Sequence, residues 1–327
     1  MQKFIFLIGI SGSGKSTLSK SLHGLWLSSD DIRIKMYGSL EEGNQHNSEV
    51  FKAMLDKSIE HLKLTNESVI YDATNLSRKQ RKHIYSQIHR IHNVIVESVI
   101  NFRNPTTAIA WNNQRDGFAI VPEHIIERQM MSLQVPRVGV DTDIITAEGE
   151  SWFNPTDTQK ENLLVAKDPI AALLEFTTPE MQTLLQLNYN DHDTPYHIET
   201  IDTHIKMVTD ETRKNVPQLT LAAIFHDLGK GYVKNRGLNK GTLGSYRGHD
   251  NLGAQLLLNY LLFNEYSGSI NQPLDMVELV HQHMTAHELN WDNTKKLQHK
   301  HTLSNEFMEN LKLFSKIDSK MRITERN

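Results

Sequence analysis

The rhythm of apolar and polar positions changes once along this chain. Up to about residue 150, short apolar runs of strand length alternate with amphipathic helical stretches. Phe4–Ile8, Leu25–Ser28, Ser68–Tyr71, Val94–Ile100 and the pair Ile144-Ile145 predict five strands. A helix is expected through Leu18 and Leu22, and another from Ser77, its cap, to about Ile91. Between Asn47 and Leu64, Val50, Phe51, Met54, Leu55, Ile59 and Leu62 share one face of a long helix. Pro105 and Pro122 are placed as first-turn prolines of two more. Strand–helix alternation of this kind predicts a parallel sheet with right-handed crossovers and helices on both faces.

Beyond about Pro169 the strand pattern stops. Apolar residues recur at helical spacing, as at Ile201, Ile205 and Val208, or Leu252, Leu256 and Tyr260. This predicts an all-α domain. The intervening stretch is polar around Pro155 and weakly patterned. The expected organisation is an α/β domain over 1–150, a linker over 151–168 and a helical domain over 169–327.

Composition narrows the class. With 38% hydrophobic and 23% charged residues, the 327-residue chain is ordinary for a globular protein. No apolar run approaches the ~20 residues that span a bilayer, so no membrane partner is expected. The absence of cysteine removes disulfides and thiolate metal sites, and fits a reducing, cytoplasmic location. Net charge is −4, with 17 basic and 17 acidic residues in 1–150 and 18 against 22 in the remainder. A nucleic-acid partner would therefore be gripped by local basic residues. The 17 histidines lie mostly in the second half, where their spacing matters more than their number.

Gly9-Ile10-Ser11-Gly12-Ser13-Gly14-Lys15-Ser16-Thr17 follows the first strand and opens a helix. Strand, glycine-rich loop and helix give the context of a phosphate-binding loop, with ATP as the expected cosubstrate. Gly9, Gly12 and Gly14 let backbone pass close to phosphate, and loop N–H groups face the anion. Lys15 would reach the β- and γ-phosphates, and the Ser16 hydroxyl, next to Thr17, would hold Mg²⁺.

Three further segments fall after strands or between helices. Ser29-Asp30-Asp31-Ile32-Arg33 offers a carboxylate that could take a proton from an attacking hydroxyl. Its arginine could grip an acceptor phosphate. Tyr71-Asp72-Ala73-Thr74-Asn75-Leu76 places Asp72 near Mg²⁺ or the acceptor, with Asn75 a candidate substrate contact. Behind it, Ser77-Arg78-Lys79-Gln80-Arg81-Lys82 reads as a phosphate contact or, more ordinarily, a solvated helix face. Trp111-Asn112-Asn113-Gln114-Arg115-Asp116-Gly117, followed by Val121-Pro122, could close over a triphosphate, with Arg115 meeting the transferring phosphoryl group.

Together these segments make residues 1 to about 150 resemble the 5′-hydroxyl polynucleotide kinases of T-even phages. The resemblance implies that Asp30 is the general base, Arg33 binds the acceptor's 3′-side phosphate and Arg115 is the lid arginine. Trp111-Asn112-Asn113 stands where that family commonly has a second lid arginine, which leaves Arg103 as an alternative.

In the second half, His204, His226-Asp227, His249-Asp250, His281, His283 and a late Asp318 offer mixed nitrogen and oxygen ligation for a divalent transition metal. Adjacent His and Asp diverge by about 100° on a helix, so His226 and Asp227 can share a metal only near a helix end. Gly229 and Gly231 supply one. From about Glu175 onward the chain resembles the HD phosphohydrolase superfamily. The resemblance rests on Thr203-His204, Ala222 to Lys230, Gly248-His249-Asp250, Val280 to Met284, and Asp318. It implies that His204, His226, Asp227 and Asp318 bind a metal (Mn, Ni, Co, Zn or Fe). His249 and His283 would complete a second site or bind phosphate, with Lys230 a further phosphate contact.

The combined expectation is end healing of nucleic acid, RNA rather than DNA. The kinase would phosphorylate a 5′-OH, and the helical domain would remove a 3′-phosphate or 2′,3′-cyclic phosphate. An RNA ligase is the expected functional partner, and the host cytoplasm the setting if the chain is phage-encoded. A small-molecule kinase fused to a nucleotide phosphohydrolase is the enzymatic alternative. An ATP-controlled RNA-binding module is the non-catalytic one.

Overall fold

The computed structural model describes residues 1–185, 199–236, 246–264 and 271–322, the last without 288, 292–294, 296 and 299–301. The chain divides into two compact units, Met1–Glu150 and Ser151–Asn327.

The first unit is built on five parallel strands, β1 (Gln2–Ile8), β2 (Leu25–Ser28), β3 (Val69–Asp72), β4 (Val94–Phe102) and β5 (Ile144–Gly149), in the order β2-β3-β1-β4-β5. Phe4, Phe6, Leu7, Val69, Tyr71 and Val96 are fully buried, as expected of strands covered on both faces. Register aligns the functional ends. Leu7 of β1 pairs with Asp72 of β3, and Asp72 pairs with Ser28 of β2. The segments that follow β1, β2 and β3 therefore leave the sheet side by side.

The helices of this unit are α1 (Lys15–Ser19), α2 (Ser29–Tyr37), α3 (Leu40–Gly43), α4 (Asn47–Leu64), α5 (Arg78–Ile88), α6 (Pro105–Asn112) and α7 (Glu123–Ser132). The first is shorter than the pattern predicts. After Ser19 the chain tightens into i→i+3 turns, with Ser21 N bonded to Leu18 O and Leu22 N to Ser19 O. Leu18 and Leu22 still pack on the core around Ile5, Leu7, Ile70 and Val99. Pro122 stands one position earlier than expected, as the N-cap of α7 with an extended ψ of 140°.

The second unit is helical. It includes α8 (Asp157–Val165), α9 (Pro169–Leu174), α10 (Pro179–Leu185), α11 (Ile201–Asn215), α12 (Thr220–Phe225), α13 (Lys230–Arg236), α14 (His249–Phe263), α15 (Asn271–His287) and α16 (Asn305–Lys320). Residues 151–168, expected as a linker, are structured within this unit. Trp152 and Phe153 are buried, Trp152 N donates to the Asn259 side chain, and Thr156 caps α8 with Gln159 in a capping box. Proline and polar residues marked the chain's change of direction, but the two aromatics outweigh them by burial. No helix among the described residues is long and apolar enough to cross a membrane.

Candidate functional site

In the first unit the loop after β1 is held from three sides. Gly9 N donates to Thr74 O, Asn101 Nδ2 to Ser13 O, and Ser11 N to Gln129 Oε1 of α7. Gly12 has a φ of +78° and packs so tightly on α6 that any Cβ would collide with the Ala108 carbonyl. Lys15 is buried at the base, where its ammonium donates to the carbonyls of Gly9 (2.9 Å) and Ile10 (2.8 Å). Burial pushes it down to about 8, opposed by Asp72 and Asp30 and reinforced by Arg115.

Lys15, Asp30, Asp72 and Arg115 line one cavity of about 230 Å³, together with Arg33 and Ser16. Ser28 caps α2 by accepting from Asp31 N, which puts Asp30 in the first turn and Arg33 on the same face. The Arg33 guanidinium meets Asp30 Oδ1 at 3.0 Å and Asn47 Oδ1 at 2.7 Å. Gly43 of α3 lies against its stem, where a Cβ would stand 2.5 Å from that of Arg33. Arg33 is thus nearly buried and immobilised, whereas the Asp30 side chain is 54% exposed. A fixed cation beside a solvent-facing carboxylate, in the same cavity as the lysine, can orient an anionic acceptor and accept its proton.

Not every expected residue joins this site. Asn75 is absent from the cavity lining. At φ +49°, its buried amide instead donates to the carbonyls of Leu7, Tyr71 and Ala73, bracing the loop after β3. Arg78 and Arg81 are buried and are not part of the cavity lining. Arg81 is fully buried in an ion pair with Asp141 (2.7 Å) and donates to Asn75 O and Gln134 O. Arg78 donates to Val135 O. Arg103 is likewise outside the cavity, stacked on Trp111 and paired with Glu150.

The second unit gathers His204 from α11, His226 at the C-cap of α12, Asp227, His249 at the start of α14, His283 of α15 and Asp318 of α16. All six are buried. Gly229 makes the gathering possible, because it sits against the His249 backbone at a distance, 2.5 Å from a built Cβ, that no side chain tolerates. Asp227 faces two ways. Its Oδ2 is 3.3 Å from His226 Nε2 and 3.5 Å from His204 Nε2, while Oδ1 is 3.3 Å from His249 Nε2 and 3.7 Å from His283 Nε2. Donor atoms of His204, His226 and Asp318 form one group within 4.8 Å, and those of Asp227, His249 and His283 form another.

Residues 4–136 match the AAA domain family and residues 196–319 the HD domain family. The chain joins an AAA-type P-loop domain to an HD domain. No curated protein matches it. Among solved structures it is similar to a gluconokinase from Sinorhizobium meliloti 1021, at 17% identity over 53% of this chain and 90% of that one, with a TM-score of 0.31.

The donor set of the HD domain fits a divalent metal. His226, His249 and His283 each turn Nδ1 to the carbonyl three residues back, at 2.6–2.7 Å. That fixes every Nε2 toward the centre. His226 Nε2 is buried and faces the two carboxylates, 3.3 Å from Asp227 Oδ2 and 4.0 Å from Asp318 Oδ1, an arrangement that suits a shared metal. Burial alone would raise the Asp227 carboxyl, but Lys230 and His226 outweigh it and hold it well below the usual carboxylate range. Asp318 is held low in the same way, by hydrogen bonds with His204 and His287. His204 is driven down by burial, yet Asp318 and Glu199 raise it to about 9. Lys230, expected at a substrate phosphate, places its ammonium on Asp227 Oδ2 at 2.7 Å.

Two partners escaped the sequence reading. Glu199 lies 3.4 Å from His204 Nδ1, and His287 lies 2.7 Å from Asp318 Oδ2. His287 could have been found, since it follows His283 at i+4 on one helix face. Glu199 stands in a polar stretch with no periodic signal. His281, two residues before His283, is not in either ligand group.

Proposed function

We propose that this chain heals nucleic-acid ends, phosphorylating a 5′-hydroxyl with ATP and removing a 3′-phosphate or 2′,3′-cyclic phosphate. The observation that carries the reading is the Asp30–Arg33 pair, which shares one cavity with Lys15. A polynucleotide 5′ end presents a hydroxyl with a phosphate on the 3′ side of the same nucleotide. Arg33 would hold that phosphate while Asp30 accepts the hydroxyl proton. Lys15 and Arg115 would neutralise charge on the transferred phosphoryl group, with Asp72 beside them and Mg²⁺ held through Ser16. A free nucleoside or sugar gives Arg33 nothing to hold.

In the HD domain, His204, His226, Asp318 and one oxygen of Asp227 would hold one divalent metal. His249, His283 and the other oxygen of Asp227 would hold a second. Bound there, the metals supply the charge that lowers the pKa of water and neutralises phosphate oxygens. Asp227 would fix their spacing, and Glu199 and His287 would orient the His204 ring and the Asp318 carboxylate.

The acceptor is tested with labelled ATP, Mg²⁺ and three compounds: a 5′-OH oligoribonucleotide, a nucleoside 3′-monophosphate and the plain nucleoside. Phosphorylation of the first two, with kcat/KM for the nucleoside at least about 10-fold lower, is the expected result, a lost charged hydrogen bond being of that size. Equal use of the nucleoside with an untouched oligonucleotide would transfer the site to small-molecule acceptors.

A further inference from the structure

We propose that Trp111, backed by Arg103, is the stacking platform for the purine base of the phosphoryl donor. This rests on reading the P-loop as an ATP site. The indole is 42% exposed, unusual for a tryptophan lying against a buried loop. The Arg103 guanidinium sits 4.2 Å from its ring centroid. That face is taken, which leaves the opposite face for a ligand. The ring also marks the end of the phosphate cradle, since a Cβ built on Gly14 would stand 3.2 Å from it.

The platform is rigid for reasons independent of any ligand. Glu150 Oε1 accepts from Arg103 (2.8 Å), and its Oε2 accepts from Asn104 N (2.9 Å), which clamps the arginine to the end of β4. The next residue of α6, Asn112, exchanges side-chain hydrogen bonds with Val121 N and O. Gly12 packs on the α6 backbone at Ala108. Helix, loop and indole therefore hold a fixed relation. An exposed aromatic face stiffened by a cation, beside the N–H groups that grip a polyphosphate, has the chemistry to take a planar base. Trp111 would make the domain prefer purine triphosphates, whose larger rings stack better, over pyrimidine ones.

The test compares Trp111→Ala, Trp111→Phe and wild type by calorimetric titration with MgATP, MgUTP and inorganic tripolyphosphate. Trp111→Ala is expected to weaken ATP about 10-fold, the scale of one lost base stack. Tripolyphosphate affinity should not change, the gap between ATP and UTP should close, and Trp111→Phe should restore most of the loss. Binding of ATP by Trp111→Ala at wild-type strength would overturn the proposal. So would an equal loss of tripolyphosphate binding, because the indole would then merely shape the loop. Wild type that binds tripolyphosphate as tightly as ATP would remove the platform and leave the phosphate cradle standing. Binding of neither would overturn the cradle first, and the platform with it.

Discussion

The two centres of this chain hold charge in opposite ways. The P-loop cavity is open. Asp30 is half exposed and Ser16 faces solvent, while Lys15, Arg33 and Asp72 are buried, the two cations each donating to named acceptors. The HD centre is closed. Four imidazoles and two carboxylates are buried together, with Lys230 among them. An open site can exchange large substrates and leave some of its charge to water. A closed one must neutralise its charge internally, and desolvation makes any broken pairing expensive. This contrast supports the proposed division of labour, in which the P-loop site would position substrate and the buried His/Asp set would hold ions.

The largest effects are expected when each centre is disabled separately. Lys15→Ala should abolish 5′ phosphorylation and leave 3′ phosphate release intact. Asp227→Ala should do the reverse and lose metal, read by elemental analysis. Each loss should reach about 100-fold or more, the scale of removing one group that meets transition-state charge. Chelation followed by Mg²⁺ alone should restore the kinase but not the hydrolase. Next in size is Glu199→Gln. Weakening the partner of His204 should lower HD metal affinity about 10–100-fold, measured by competition with a chelating dye, without touching the kinase. Arg33→Lys keeps the charge but loses the planar fork, and should raise KM for a 5′-OH oligonucleotide about 10-fold with little change in kcat. The smallest effect is a proton. Lys15 lies near 8 when no phosphate faces it, so it is largely deprotonated at pH 9. Polyphosphate favours the charged form, so binding at pH 9 should take up part of a proton and at pH 6.5 none from this group. Titrations in two buffers of different ionisation enthalpy measure it.

The same contrast explains what the sequence made legible. The P-loop, Asp30 and Arg33 are local patterns, each set by one strand end, and strand register does the rest. The HD ligands were legible through their residue types, although they lie on five helices. What failed was any feature whose partner is distant. Arg78 and Arg81 read as a charge run, because nothing near them announces Asp141, 60 residues away, which takes Arg81 into the core. Asn75 read as a polar loop residue, yet its left-handed backbone and three carbonyl partners make it a brace. Trp152 and Phe153 looked like part of a linker until the Asn259 contact and their burial placed them in the helical unit. Breaking the buried Arg81–Asp141 pair with Arg81→Met should cost about 3–5 kcal/mol in urea unfolding, with no selective effect on either activity.

Two separate centres acting on opposite ends of one polynucleotide would leave their signatures on a single RNA. An RNA with a 5′-OH and a 2′,3′-cyclic phosphate is incubated with labelled ATP, Mg²⁺ and a panel of transition metals, and both ends are mapped by mass spectrometry. Wild type should gain phosphate at the 5′ end and lose it at the 3′ end, Lys15→Ala only the second, and Asp227→Ala only the first. An unchanged RNA beside phosphorylated nucleosides, or loss of both activities from either single substitution, would contradict the account.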